Sequence, residues 1–317
     1  ETAPILKARK QNKELVFYND AEYETWKENN DNGKGWKIKY YKGLGTSTSK
    51  EFKEYFKDKK IVTFNYTDNC NDHIDMAFNK KRADDRKEWL SEYDRNDRLD
   101  NTKEVASYTN YIKQNLIHFS KYDNERSIPN LMDGLKISTR KILYSAFKKK
   151  LTSEIKVSQF SGYVSEHSNY HHGEMSLNGA IVNLAQDFVG SNNINLFQPN
   201  GQFGTRLLGG ADSASERYIC TCLSKITRDI FKPEDDMVLD YVDDDGKLVE
   251  PRYYAPILPM ILVNGSKGIG TGFSTDIPCY NKDDLICYLM NKLEHKANTN
   301  DLAPYYEGFK GTITEIK

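Results

Sequence analysis

Residues 136–167, KISTRKILYSAFKKKLTSEIKVSQFSGYVSEH, decide the fold prediction. Four apolar residues in the first half follow the i, i+1, i+4, i+5 rhythm of a helix that packs one face on a core. They are Ile142, Leu143, Ala146 and Phe147. Val157, Phe160 and Val164 recur at i, i+3 and i+7, which predicts a second helix. The polar segment LTSE, residues 151–154, separates the two and predicts a turn.

A third helix is predicted a few residues downstream, in EMSLNGAIVNLAQDFVG, residues 174–190. Its apolar face consists of Leu177, Ile181, Leu184 and Phe188. The segment ends at Gly190, and glycine commonly follows the last turn of a helix. Three short helices beside a basic stretch are typical of a helix-turn-helix DNA-binding domain.

The charge of the chain is uneven, although its net value is only −1 over 317 residues. Residues 126–172 carry eight lysines and arginines against three acidic residues, whereas residues 234–250 carry eight acidic residues and one lysine. This pattern favours one surface for a polyanion and a second surface that faces away from it. Two solvated surfaces without a binding role are the alternative that charge alone leaves open.

The composition excludes several classes of protein. Aromatic residues make up 12% of the chain, too many for a disordered protein, and 317 residues suffice for two or three domains. The five cysteines are scattered, and Cys220 and Cys222 lack the spacing of a zinc or thioredoxin motif, so a reducing, intracellular setting is predicted. The sequence shows no apolar run of membrane-span length and no signal peptide.

The segment GQFGTRLLGGADSASERYICT, residues 201–221, joins a glycine-rich loop to an adjacent pair, Arg217 and Tyr218. A tyrosine hydroxyl is a poor nucleophile at its ordinary pKa of about 10, but a nearby cation favours the phenolate. Attack on phosphorus would give a phosphotyrosine intermediate, and an arginine can bind the non-bridging oxygens. The pair suits a transesterase, although arginine–tyrosine pairs are more often structural.

Two further motifs bear on chemistry. YHHGEMS, residues 170–176, places two histidines at a helix start, where an imidazole can bond a phosphate or orient a tyrosine hydroxyl. A metal site is less favoured, because no third ligand stands at a standard spacing. KGIGTG, residues 267–272, matches neither nucleotide-binding glycine template, so no ATP site is predicted there. Its Ile269 is either an exposed tip that wedges between base steps or a buried turn residue.

Upstream of these motifs, the chain alternates short strands and helices. Strands are predicted in APILKAR, KELVFY and IVTFNY, and a helix capped by Asp20 is predicted in NDAEYETWKENN. WKIKYYKGLGTSTSKEFKEYF predicts a strand, a glycine loop and a helix capped near Ser47 or Thr48. Residues 72–118 are strongly charged and are predicted to form a linker or an extended helical arm.

Downstream of Tyr218, the apolar segment PRYYAPILPMILVNG, residues 251–265, is punctuated by prolines and predicts strands or a hairpin. NKDDLICYLMNKL predicts a helix and FKGTITEI a strand. The chain starts at Glu1 without a methionine and stops at Lys317 inside this last predicted strand. Both observations predict a piece of a longer protein.

Six blocks of the sequence, taken in order, resemble eukaryotic-type DNA topoisomerase II, a type IIA topoisomerase. They are YYKGLGTSTSKE, DNERSIPNLMDGLK, SNYHHGEMSL, NLAQDFVGSNNINLFQPNGQFGTRLLGGADSASERY, PILPMILVNGSKGIGTGFS and FKGTI. The resemblance covers most of the chain and implies an α+β fold. It implies the C-terminal part of the TOPRIM region and a linker over residues 1–110. A winged-helix (helix-turn-helix) DNA-cleavage domain would span residues 111–272, and the start of a tower domain residues 273–317.

The resemblance also implies roles for particular residues. Tyr218 would be the nucleophile that forms a 5′-phosphotyrosine bond, and Arg217 would stabilise the scissile phosphate. Arg126 and His172 match the other active-site cation and histidine of the family. The implied DNA contacts are Lys136, Arg140, Lys42 in its YKGLG loop, and Ile269 as the residue that intercalates and bends the duplex. KISTRK lacks the proline and glycine of the usual Lys-Pro-Gly-Gln-Arg-Lys.

The implied activity is ATP-dependent cutting and resealing of both strands of one DNA duplex, with passage of a second duplex. Relaxation of supercoils and decatenation follow from it. The resemblance implies a homodimer, because each tyrosine of the family works with TOPRIM metals of the partner subunit. Mg²⁺ and ATP are implied for the full-length enzyme, and neither site is predicted in this chain. The chain alone is therefore predicted to be inactive, and no metal ligand is assigned to it.

Two alternatives stay open at this point. A tyrosine recombinase or single-strand topoisomerase would share the chemistry, but it places its tyrosine late and lacks this glycine loop. A non-catalytic winged-helix DNA-binding protein would have a structural tyrosine. The departures from the family blocks suggest a divergent lineage such as a large DNA virus. The predicted location is the nucleus for a cellular protein and the host cytoplasm for a viral one.

Overall fold

The computed structural model describes residues 3–41, 44–57, 59–100, 103–244, 246–297 and 301–316. The chain divides into two compact units, Glu1–Tyr122 and Asp123–Lys317. Helices and small sheets of two or three strands alternate in the described parts, which confirms the predicted α+β class. The domain limits predicted at residues 110 and 272 stay predictions.

The first unit opens with a three-stranded antiparallel sheet in the order β2-β1-β3, with one helix packed on it. Its elements are β1 (Leu6–Lys10), β2 (Lys13–Phe17), α1 (Asp20–Glu28) and β3 (Lys37–Tyr40). Tyr23 of α1 packs edge-on against Phe17, with ring centroids 5.4 Å apart. The helix is capped by Asn19, whose side chain accepts the Glu22 amide at 2.9 Å, and not by Asp20 as predicted.

The helix that follows the glycine loop, α2 (Ser49–Lys57), starts in a capping box. The Glu51 carboxylate accepts the Thr48 amide at 2.7 Å, while the Thr48 hydroxyl accepts the Glu51 amide at 3.4 Å. Lys39 also donates to this buried carboxylate at 2.7 Å. Burial alone would raise the pKa of Glu51, but these bonds hold it well below its usual range. Lys42, a predicted DNA contact, lies outside the described residues.

The charged region from residue 72 to residue 118 is neither a linker nor an extended arm, so that prediction is wrong. Its elements and their neighbours are β4 (Thr63–Asn65), α3 (Cys70–Phe78), α4 (Ala83–Ser91), β5 (Val105–Ser107), α5 (Tyr108–Tyr111) and α6 (Ile117–Ser127). Met76, Trp89 and Leu90 are buried together with Ile112 and Ile117 in a small core. The charges lie on the outer face, where Arg82 bonds Asp72, Asp75 and Asp85.

The largest core lies in the second unit and is built by the three predicted helices. Its first elements are α7 (Ile137–Lys149), β6 (Ile155–Lys156), α8 (Val157–Ser168) and α9 (Glu174–Ala185). Burial confirms the predicted apolar faces except at Phe147 and Phe188, which are half-buried, and α9 ends at Ala185 and not at Gly190 as predicted. The residues with 0% exposure include Ile142, Leu143, Ala146, Val157, Phe160, Val164, Leu177 and Ile181. The segment LTSE forms the connection after α7, as predicted.

The remaining elements are short. They are β7 (Cys220–Thr221), α10 (Thr227–Ile230), β8 (Tyr241–Asp244), β9 (Lys247–Pro251), α11 (Met260–Val263), β10 (Ser266–Ile269), β11 (Ser274–Ile277) and α12 (Lys282–Leu293). The helix predicted at α12 is confirmed. The prediction of strands over residues 251–265 is wrong beyond Pro251, because Met260–Val263 form a buried helical turn. Residues 309–316, predicted as a strand, have no strand assignment. No described helix has the length and apolar character needed to cross a membrane.

Candidate active site

Tyr218 stands at the end of a long loop, with its side chain 74% exposed. The next residue, Ile219, is 2% exposed and starts the return of the chain to the core. The Val157 amide donates to the Ile219 carbonyl at 3.0 Å, and the Ser158 amide donates to the Glu216 carbonyl at 3.1 Å. The start of α8 therefore fixes the backbone on both sides of Tyr218, while the tyrosine ring points outward.

The glycines of this loop allow it to fold tightly on itself. Gly204 and Gly210 have φ values of +98° and +85°, which favour glycine. A Cβ atom on Gly204 would lie 2.5 Å from the Gly210 Cα atom. One on Gly210 would lie 2.3 Å from Nε2 of Gln186, which donates to the Phe203 carbonyl. The loop that delivers Tyr218 is thus closely packed, and larger residues at these two positions would force it open.

Arg217 lies beside the tyrosine, as the sequence predicts. Its guanidinium carbon is 5.6 Å from the Tyr218 ring centroid, and both side chains are exposed. Nε of Arg217 donates to the Ser215 hydroxyl at 3.2 Å, and the Tyr218 amide donates to the Ser215 carbonyl at 2.9 Å. Ser215 therefore holds both residues, and one exposed cation stands next to one exposed phenol.

Arg126 and His172 form a second pair, although 46 residues separate them in the sequence. Nη1 of Arg126, in the last turn of α6, lies 3.5 Å from Nδ1 of His172. The largely buried Tyr170 ring packs edge-on against the imidazole at 5.4 Å. Burial, then the charges of Arg126, His171 and Lys141, lower the pKa of His172. The imidazole is therefore neutral near pH 7 and can give or accept a hydrogen bond.

The turn that carries His172 is held from α7 and from the β8–β9 hairpin. Nζ of Lys141 donates to the Ser168 carbonyl at 2.6 Å and to Glu250 at 2.8 Å. Lys247 donates to the Asn169 side chain at 3.3 Å, and that side chain donates to the backbone of β8. Glu250 is only 5% exposed, so the acidic segment is not simply a solvated surface that faces away. Its hairpin supports the histidine turn.

Arg140 does not fit the predicted contact with the DNA backbone, and that prediction has to be corrected. Its side chain is 5% exposed and bonds the fully buried Asp133 carboxylate at 2.7 and 3.0 Å. Arg140 also donates to the Leu135 carbonyl at 2.8 Å, and Asp133 accepts the Tyr254 amide at 2.9 Å. The guanidinium is used inside the domain and cannot reach a phosphate without breaking a buried ion pair.

Lys136 is half-buried and occupies the N-cap position of α7, where its side chain makes no capping hydrogen bond. Its Nζ atom donates to the Lys267 carbonyl at 2.7 Å, and burial lowers its pKa. Both lysines line a groove of about 430 Å³ with hydroxyl and amide side chains around it, among them Ser138 and Asn183. This position agrees with a phosphate contact, which stays a prediction.

Ile269 is the last residue of β10 and is 76% exposed, so the alternative of a buried turn residue is wrong. It pairs with Ser274 of β11, and the Gly270 amide donates to the Phe273 carbonyl at 2.9 Å, which closes the tip. A large apolar side chain at the exposed end of a tight hairpin has the form of the wedges that unstack base steps. We call β10, β11 and the residues between them the wedge hairpin.

The described residues do not fit a Mg²⁺ site. No three histidine, cysteine, aspartate or glutamate side chains converge there in a way that could hold a metal ion. Asp243 accepts the Gly246 amide at 2.7 Å, and Asp244 lies 4.0 Å from His171, so neighbours already use the acids of β8.

The comparisons with known proteins decide between the alternatives. Residues 126–317 match the family of the A subunits of DNA gyrase/topoisomerase IV, and residues 1–124 match the C-terminal associated domain of TOPRIM. The chain belongs to the type II DNA topoisomerases. It corresponds to the DNA-cleavage core of a topoisomerase with the TOPRIM C-terminal domain before it.

Individual topoisomerases are similar along almost the whole chain. DNA topoisomerase 2 of Plasmodium falciparum is 51% identical over 314 residues, 98% of this chain and 22% of that protein. DNA topoisomerase 2-alpha of Homo sapiens is 49% identical over 328 residues, 99% of this chain and 21% of that protein. The chain thus spans about a fifth of these relatives' length. These relatives are eukaryotic, and none of these comparisons shows the predicted viral lineage.

A solved topoisomerase has the same fold. The Plasmodium falciparum topoisomerase II DNA-binding, cleavage and re-ligation domain superposes with a TM-score of 0.85 at 50% identity. The superposition covers 99% of this chain and 43% of that one. The alternative of a tyrosine recombinase or a single-strand topoisomerase is excluded by these matches.

Three residues of this topoisomerase site could not be predicted from the sequence. Lys141 and Glu250 pair across 109 residues, and Asn124 contacts the wedge hairpin across 147 residues. Nothing in the local pattern around these positions marks them. Arg140 and Asp133 are only seven residues apart, and an acid seven residues before an arginine could have suggested the buried pair.

Proposed function

We propose that this chain is the DNA-binding and cleavage part of an ATP-dependent type IIA topoisomerase. The enzyme would cut both strands of one duplex through 5′-phosphotyrosine bonds, pass a second duplex and reseal the first. The arrangement of Tyr218 carries the proposal. Its phenol is exposed, its backbone is fixed on both sides by α8, and Arg217 lies next to it. The names of the similar proteins support the same activity.

In the proposed reaction, the Tyr218 hydroxyl oxygen attacks the scissile phosphorus and loses its proton. The bond from phosphorus to the 3′ oxygen breaks, and the departing 3′ oxygen takes up a proton. One phosphodiester is exchanged for another, so the reverse attack by the 3′ hydroxyl reseals the strand without an external energy source. Arg217 and Arg126 would bind the non-bridging oxygens, whose charge grows in the transition state. His172, being neutral, would accept or donate a hydrogen bond at the same phosphate.

Cofactors, partners and location belong to the proposal for the full-length enzyme. It would bind double-stranded DNA, form a homodimer and use Mg²⁺ and ATP through parts of the protein outside the described residues. The names of the relatives place one of them in mitochondria and identify all of them as DNA topoisomerase 2. We expect the nucleus for a cellular enzyme and the host cytoplasm for a viral one.

Relaxation of a supercoiled plasmid by the full-length protein tests the proposed function. Passage of one duplex through another changes the linking number in steps of two, and the reaction should need ATP and Mg²⁺. Steps of one would indicate single-strand cutting and would contradict the proposal. DNA binding without any relaxation or cleavage would indicate a non-catalytic DNA-binding protein.

Replacement of Ile269 by alanine should impair DNA bending and cleavage much more than low-salt binding. The wedge loses its apolar volume, whereas the phosphate contacts that dominate affinity stay intact. Fluorescence energy transfer between the ends of a short duplex measures the bend. Ile257→Ala, which also truncates an exposed isoleucine, is the matched control. Equal losses of bending and binding would contradict the wedge role.

Replacement of Lys136 by alanine should make DNA binding less dependent on salt for every sequence. Each lost phosphate contact lowers the slope of log K against log salt by about 0.9. Binding isotherms at several salt concentrations provide the slope. Lys292→Ala removes an exposed lysine from α12 and should leave the slope unchanged. An unaltered slope in the Lys136 variant would show that this residue makes no phosphate contact.

A further inference from the structure

The wedge hairpin and the end of α6 fit together without a gap. A Cβ atom on Gly268 would lie 2.2 Å from the Ser127 carbonyl oxygen, and one on Gly270 would lie 2.1 Å from Oδ1 of Asn124. Real Cβ atoms do not approach oxygen so closely, so the backbone of Ser127 leaves room only for glycine at position 268, and a larger residue at position 270 would displace the Asn124 amide. Nδ2 of Asn124 also donates to the Thr271 carbonyl at 3.0 Å. Steric contact and a hydrogen bond therefore lock the two segments.

Two residues with proposed roles, Ile269 and Arg126, lie inside this contact. Ile269 lies between the two glycines of the hairpin, and Arg126 lies between Asn124 and Ser127 on α6. The Thr271 hydroxyl adds a bond of 3.4 Å to Asp123, one helical turn before Arg126. A displacement of the wedge hairpin therefore acts on residues before and after Arg126 in the last turns of α6.

The contact with the hairpin leaves one polar atom of Asn124 without a hydrogen bond. Its Oδ1 atom is buried and has no hydrogen-bond partner among the described residues. An unpaired buried carbonyl oxygen is unfavourable, whereas a small apolar residue would remove the penalty. The amide thus contributes little through Oδ1 to folding and instead fills the space under Gly270. This arrangement fits a residue kept for contact with the hairpin.

We propose that Asn124 is a positioning residue that couples DNA bending at Ile269 to the placement of Arg126. The proposal rests on the proposed function. A duplex that bends around Ile269 exerts force on the wedge hairpin. The contact between the hairpin glycines and α6 transmits this force to the last turn of α6. Arg126, whose Nη1 atom already lies 3.5 Å from Nδ1 of His172, is thereby held against the scissile phosphate. A duplex that stays straight does not load the hairpin and is cut slowly, so bendable sequences are selected for cleavage.

Bending and cleavage, measured side by side on the full-length enzyme, test this coupling. Energy transfer across a short duplex reports the bend, and detergent trapping of the covalent protein–DNA adduct reports cleavage. Gly270→Ala places a methyl group against the Asn124 amide and shifts α6. We expect bending to stay close to that of the wild type, and the adduct to fall on the order of 10- to 100-fold, as misplaced reacting groups do.

The double variant Asn124→Ala/Gly270→Ala removes the group with which the methyl collides. Its adduct level should return to that of Asn124→Ala alone, so the two changes are strongly non-additive. Gly162→Ala is the matched control, because a Cβ atom on this exposed residue of α8 meets nothing within 4 Å. It should behave as the wild type.

Two results would overturn the coupling. In the first, bending and adduct fall in parallel in Gly270→Ala, which means that the lock only shapes the wedge. In the second, the double variant loses the summed effects of the single ones. A failure of the proposed function looks different, because the wild type and Gly162→Ala would then form no adduct at all. That result would refute both proposals.

Discussion

Replacement of Tyr218 by phenylalanine is expected to abolish the covalent protein–DNA adduct and plasmid relaxation by the full-length enzyme. Only the hydroxyl oxygen is removed, and the side chain is 74% exposed, so neither packing nor folding should change. Loss of the nucleophile should reduce cleavage on the order of 10⁴-fold or more. Trapping with detergent, followed by electrophoresis of end-labelled DNA, provides the measurement.

DNA binding separates this prediction from a general defect. The Tyr218 variant should bind a short duplex nearly as tightly as the wild type, because phosphate contacts by lysine and arginine dominate affinity. Tyr253→Phe, at another exposed tyrosine, should keep full cleavage. An adduct that persists in the Tyr218 variant would show that another group attacks the phosphorus.

Replacement of Arg140 by alanine is expected to destabilise the domain strongly. The Asp133 carboxylate would stay fully buried without its cation, and breaking a buried pair from one side costs about 3–5 kcal/mol. Thermal and urea unfolding measure the loss. Arg252→Ala breaks an exposed pair with Asp240 and should cost at most about 1 kcal/mol, so it serves as the control.

The same variant decides between the two roles considered for Arg140. A DNA-contacting arginine would leave stability unchanged and lower the salt slope of DNA binding. If Arg140 is a buried structural residue, its replacement lowers the free energy of unfolding, and DNA binding is lost only when the domain unfolds. Wild-type stability combined with a reduced salt slope would show that Arg140 contacts the DNA backbone.

The sequence could predict those parts of the fold that have strong periodicity. The helices α7, α8 and α9 repeat apolar residues at helical spacing, and these residues are buried as expected. The sparse core of residues 72–118 could not be predicted, because charges outnumber Met76, Trp89 and Leu90 around it. Short apolar runs such as Met260–Val263 fit a strand or a helical turn equally well, so tertiary packing decides them.

Adjacency in sequence explains which parts of the site were predictable. Arg217 and Tyr218 are adjacent in the sequence, so the sequence directly predicts that their side chains lie close together. Arg126 and His172 come from separate elements; the YHHGEMS motif indicates a role for the histidines, but only the resemblance to the family adds Arg126. The error at Arg140 arose because the resemblance matches residue types and does not show that this side chain points to the buried Asp133 carboxylate. The lock between Asn124 and the wedge hairpin depends on a fold that brings distant segments into contact.

The proposed function depends most directly on Tyr218 as the residue that becomes joined to DNA. The trapped adduct of the full-length enzyme can be digested with protease and nuclease, and the peptide that keeps a nucleotide can be sequenced by mass spectrometry. We expect a nucleotide joined through its 5′ phosphate to the Tyr218 oxygen. A nucleotide on any other residue, or a linkage through the 3′ phosphate, would contradict it.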